Sequence, residues 1–108
     1  MTTARFCRKS GGYEITITGH ADFNPGLDIV CSAASMLSFT LMQCLQDADD
    51  AGCLTECRID YKSGDVYISV RPEPFYKKLL ENTVNTIITG FELLAHHYPK
   101  NVMIFAEK

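Results

Sequence analysis

At 108 residues the chain has the size of one domain, 1–108, and its 46% apolar and 21% charged content excludes a disordered or fibrous protein. The net charge is −3 and the ten Lys and Arg residues are scattered, which argues against a domain that binds nucleic acid by neutralising phosphates. The first ten residues contain no apolar run of the kind that opens a secretory signal, so the expected location is the cytoplasm.

In chain order, residues 4–8 and 13–18 flank Ser10-Gly11-Gly12, a turn able to take positive φ, and predict a β-hairpin. Tyr13, Ile15 and Ile17 alternate with Glu14, Thr16 and Thr18, the pattern of a sheet covered on one side. Gly19-His20 stands at the strand's end, and Asn24-Pro25-Gly26 marks a loop over 21–27. Asp28 is a good N-cap for a helix whose apolar positions are Ile29, Ala33, Met36, Leu37, Leu41, Cys44, Leu45 and Ala48. Ser32, Ser35, Ser38, Thr40 and Gln43 interrupt its apolar run, so it reads as a core helix and no membrane association is expected. Gly52 supplies the left-handed residue that ends it.

Residues 53–61 alternate again, with Cys53, Thr55, Cys57, Ile59 and Tyr61 on one face. Lys62-Ser63-Gly64-Asp65 turns the chain into Val66, Ile68 and Val70, a second hairpin. Pro72 and Pro74 end that strand and open a second helix with Tyr76, Leu80, Val84, Ile87, Ile88, Phe91 and Leu94 on its apolar face. Residues 102–106 offer a last short strand. The order β-β-α-β-β-α-(β) predicts an α+β two-layer sandwich: a mainly antiparallel sheet of four to five strands with two helices on one face.

Chemistry concentrates at the start of the first helix. With Asp28 as cap, Cys31 falls in the first turn, where backbone amides lack intrahelical partners and the helix dipole favours negative charge. Such a position favours the thiolate, and the same amides suit a developing oxyanion. His20 precedes the loop that leads into this helix, so the chain can bring an imidazole beside the thiol as general base and then acid. Gly19 allows close backbone approach, and Asp28 is a candidate to orient His20 besides capping. A buried, inert Cys31 and a merely exposed His20 remain the plain alternative.

The other chemistry-bearing residues have plainer readings. The odd number of cysteines, without an export signal, argues against disulfides, and Cys53-x3-Cys57 is not the spacing of a zinc knuckle. Cys7, Cys44, Cys53 and Cys57 read as packing residues, and no metal or cofactor is expected. His96-His97 suit the end of the second helix, where positive charge complements the dipole. Asp47, Asp49 and Asp50 read as a solvated helix end. Met36, Phe39 and Met42 read as core or dimer contacts.

Gly19-His20-Ala21, then a short loop containing Gly26, then Asp28-Ile29-Val30-Cys31-Ser32-Ala33-Ala34-Ser35 resemble the Prp family of ribosomal-processing cysteine proteases. The family pattern is G-H-A followed by D-I-V-C-A-A-V-S. This chain departs from it at Ser32-Ala33-Ala34 and in a slightly shorter loop carrying Asn24-Pro25. The resemblance implies a homodimeric endopeptidase that removes the N-terminal extension of ribosomal protein L twenty-seven, cutting after a pair of aromatic residues. It implies catalytic roles for His20 and Cys31, with Gly19, Ala21, Asp28 and Ser35 supporting the site. A redox-active thiol protein and a non-catalytic ribosome-assembly binding module are the alternatives, the first weakened by the lack of a C-x-x-C partner.

Overall fold

The computed structural model describes residues 1–19, 28–62 and 64–108. Strands β1 (Thr2–Lys9) and β2 (Gly12–Thr18) form the first hairpin. Pairing of Lys9 with Gly12 leaves a two-residue loop, Ser10-Gly11, whose φ values of 52° and 82° are those of the turn that matches strand twist. Helix α1 (Asp28–Asp50) follows, then the antiparallel pair β3 (Leu54–Lys62) and β4 (Asp65–Pro72). A 3-10 turn, Pro74–Tyr76, leads into α2 (Lys77–His97), and β5 (Val102–Ala106) closes the order.

The five strands make one mixed sheet in the order β3-β4-β2-β1-β5, antiparallel except for the β1–β5 pair. The fold is therefore α+β, with the β-β-α-β-β-α-β order anticipated from the sequence. The segments β2-α1-β3 and β4-α2-β5 each join strands that run parallel, in opposite directions across the sheet. Crossovers of one hand taken in opposite senses put both helices on the same face, where α1 and α2 touch.

The core lies between the helices and that face. Tyr13, Ile15 and Ile17 of β2 are buried, as are Val66, Ile68 and Val70 of β4. From α2 come Leu80, Val84, Ile87, Ile88 and Phe91, the spacing of a helix with one apolar stripe. Phe91 meets Phe6 with ring centroids 6.0 Å apart. Fully burying such a side chain contributes about 1.5–3 kcal/mol.

Three details differ from the sequence reading. The buried stripe of α1 is Val30, Ala34, Ser38, Leu41 and Leu45, whereas Ile29, Met36 and Cys44 are exposed. Both sides of this helix's first turns are apolar, so periodicity alone did not fix its phase. In β3 the alternation slips at a register shift between Leu54 and Glu56, which buries Cys53 and Leu54 and exposes Thr55. Tyr76 is not on the apolar face of α2; it sits in the 3-10 turn, edge-on to the exposed ring of Phe75.

Helix α1 has the length and hydropathy of a membrane span, but here one of its faces packs on the sheet. It ends as its glycine predicts. Gly52 has φ 77°, its amide donates to the Asp49 carbonyl, and the Cys53 amide donates to the Ala48 carbonyl, the two bonds of a Schellman cap.

Candidate active site

The site sits where the end of β2, the start of α1 and the β3–β4 turn converge. Helix α1 begins at Asp28, so Cys31 lies at the end of its first turn. Cys31 is half-buried and opens on a cleft of about 120 Å³. Gly19, Ser35, Phe39, Tyr61 and Asp65 also line this cleft. Cys31, Ser35 and Phe39 are spaced four apart and share one helix face.

Gly19 is held in place by specific geometry. Its φ of 91° is in the region that disfavours side chains, and a Cβ there would be driven into the Met1 carbonyl oxygen. Its amide donates to the Gly64 carbonyl at 3.0 Å, which ties the end of β2 to the β3–β4 turn. The sequence reading of Gly19 as a point of close backbone approach is met by this arrangement.

The residues singled out from sequence are distributed as follows. Gly19, Cys31 and Ser35 share the cleft. Asp28 opens α1 instead of preceding it as a cap, so Cys31 is the fourth residue of the helix and still in its first turn. The Asp28 side chain, His20 and Ala21 lie outside the described residues.

Phe39, Tyr61 and Asp65 were not recognised as site residues. Phe39 carried a legible signal, since it lies two helical turns beyond Cys31 on the same face. Tyr61 and Asp65 reach the cleft only because the second hairpin folds back beside β2.

Within the cleft, the buried Ser38 hydroxyl donates to the Ala34 carbonyl at 2.8 Å, so its hydrogen is already committed to the helix backbone. Phe39 and Tyr61 meet edge to face with ring centroids 5.6 Å apart. Among the described residues no group of three His, Cys, Asp or Glu side chains is placed to hold a metal ion. The thiol is thus half-buried in the helix's first turn and opens on a cleft with mixed polar and apolar walls.

Residues 1–103 match the sequence model of the family described as cysteine protease Prp. Among solved structures, SMU.848 from Streptococcus mutans is similar with a TM-score of 0.69 and 27% identity, over 99% of this chain and 96% of that one. The essential ribosomal processing protease Prp from S. aureus, in complex with a covalently linked product peptide, gives a TM-score of 0.72 at 20% identity. The same protease with a substrate peptide gives 0.73 at 19%; each comparison covers 99% of this chain and 100% of the other. At that identity the likeness to the S. aureus protein is one of fold. No curated protein sequence matches the chain. With nearly its whole length matched by the family's sequence model, the chain belongs to the cysteine protease Prp family and is a cysteine protease.

Proposed function

We propose that the protein is a cytoplasmic endopeptidase, a single cysteine-protease domain over 1–108, that removes the N-terminal extension of ribosomal protein L twenty-seven. Cys31 is the nucleophile and His20 the general base and acid. His20 takes the thiol proton, and the sulfur attacks the carbonyl carbon of the scissile bond. The imidazolium then protonates the leaving amine, and water activated by His20 hydrolyses the thioester. Amides in the first turn of α1 stabilise the oxyanion. Asp28 and Ser35 support the nucleophile from the same helix, and Gly19-His20-Ala21 carries the base. No cofactor takes part.

The observation that carries this reading is the shared cleft of Cys31 and Gly19, the residue that directly precedes His20 in the chain. The ribosomal substrate rests on the family and on the S. aureus structures with substrate and product peptides. An acidic protein also suits a basic ribosomal-protein tail as substrate.

We further propose a homodimer. Exposed Ile29 and Met36 of α1 lie beside Leu93 of α2 in an apolar patch away from the nucleophile, a surface suited to a second copy.

The test is incubation with a peptide spanning an aromatic-pair cleavage site, read by mass spectrometry. A single cut after the aromatic pair is expected. An intact peptide, with the protein folded, contradicts the assignment of substrate.

A further inference from the structure

The first residue of a domain is ordinarily expendable, because a chain start is poorly ordered unless something ties it down. Here residue 1 is tied, and it is tied at the cleft. The pairing of β1 with β2 reaches Thr3 opposite Thr18, so one residue further on the start of β1 lies beside Gly19. The Met1 carbonyl oxygen occupies the space that a Cβ on Gly19 would need. Thr2 is 3% exposed, lines the cleft with Gly19 and Cys31, and donates its amide to the Asn101 carbonyl at 2.9 Å. Gly19 is therefore held by main chain on two sides, by Gly64 through a hydrogen bond and by Met1 through close packing.

Taking away Met1 changes this contact in two ways. The carbonyl that packs on Gly19 belongs to the Met1–Thr2 peptide group and leaves with Met1. The Thr2 nitrogen, now a neutral amide, becomes an ammonium on a nearly buried residue, and an unpaired charge in such a place is drawn toward water. Both changes loosen the start of β1 and open the space over Gly19, which as a glycine has many other conformations to enter. An acetyl group on the Thr2 nitrogen reverses both: it returns a carbonyl to the same place and makes the nitrogen an amide again.

We propose that the Met1–Thr2 peptide group is a positioning element of the active site. It holds Gly19 in the cleft, so that removal of Met1 lowers activity and acetylation of Thr2 restores it. This rests on the peptidase reading, in which the residue after Gly19, His20, is the base for Cys31. The group touches neither substrate nor thiol; it acts through Gly19.

The experiment compares three chains: the unaltered protein, a chain beginning at Thr2, and that shorter chain N-acetylated. Each is assayed on the aromatic-pair peptide well below its own unfolding midpoint, so that loss of fold does not enter. In the chain beginning at Thr2, kcat should fall by about tenfold or more while KM stays within about threefold, the split expected of misplacement and not of lost binding. The acetylated chain should recover at least about half of the unaltered kcat. Full kcat in the chain beginning at Thr2 overturns the proposal, as does a loss that acetylation leaves in place.

Iodoacetamide labelling of Cys31, followed by peptide mapping, reads the same effect without a substrate, because a base beside the thiol raises its thiolate fraction. A rate that falls several-fold in the chain beginning at Thr2 and recovers on acetylation upholds the positioning role even if the chosen peptide is not cleaved. Equal rates in all three chains overturn it even if the peptide is cleaved.

Discussion

Gly19 and Gly64 face each other across the mouth of the cleft, the amide of one donating to the carbonyl of the other at 3.0 Å. This bond joins the end of β2 to the β3–β4 turn, which is distant in sequence, and it holds the backbone at Gly19. Gly19 of the family motif is therefore tied to the second hairpin, and the glycine is required by the backbone around it.

Gly19→Ala is expected to cost about 1–3 kcal/mol, because the residue keeps a φ of 91° and its new Cβ meets the Met1 carbonyl. Urea unfolding measures the loss. Peptide cleavage should fall further than the unfolded fraction explains, since the strand end carrying the motif must shift. Full stability and full activity would contradict this account of the turn.

Arg8 bridges β1 to α2 through Glu81, with its Nη1 2.8 Å from the carboxylate. That hydrogen bond holds the Glu81 carboxyl below its ordinary value of 4.5. A carboxyl lowered on folding contributes stability that is present above the unfolded value and lost as pH falls through the folded one. Stability should therefore decline as the solution is acidified below about pH 4.5. Glu81→Gln should show a shallower decline over the same range in urea titrations at stepped pH. Glu14, lowered in the same direction by its hydrogen bonds to Lys9 and Tyr67, accounts for part of the decline that remains.

The cysteines should separate by reactivity. Burial, together with Asp49 and Asp50, pushes the Cys57 thiol up, whereas Cys7 and Cys44 are exposed. Iodoacetamide at neutral pH should label Cys57 several-fold more slowly than Cys44. Peptide mapping against time checks the order, and equal rates would contradict the packing of β3 beneath α1.

Much of this architecture is legible in the sequence because local rules and tertiary structure agree there. Alternation along β2 and β4, the helical spacing in α2 and the Gly52 stop are all realised. The phase of α1 was not legible, because Ile29 and Val30 are equally apolar and only packing on the sheet selects Val30. The slip in β3 was hidden because its only mark is the adjacent apolar pair Cys53-Leu54, which does not by itself say which of the two continues the alternation. At the site, the motif marks Gly19, Cys31 and Ser35. The aromatic wall depends on β3 reaching the cleft, which no local pattern encodes.

The central claim is that Cys31 attacks the peptide bond. Cys31→Ala, a small change at a half-buried helical position, should leave the unfolding midpoint nearly unchanged. Incubated with the aromatic-pair peptide beside the unaltered protein, it should give no cleavage products by mass spectrometry, a loss of at least about a thousandfold in rate. Cleavage by pure, folded Cys31→Ala at a rate near that of the unaltered protein would contradict the account.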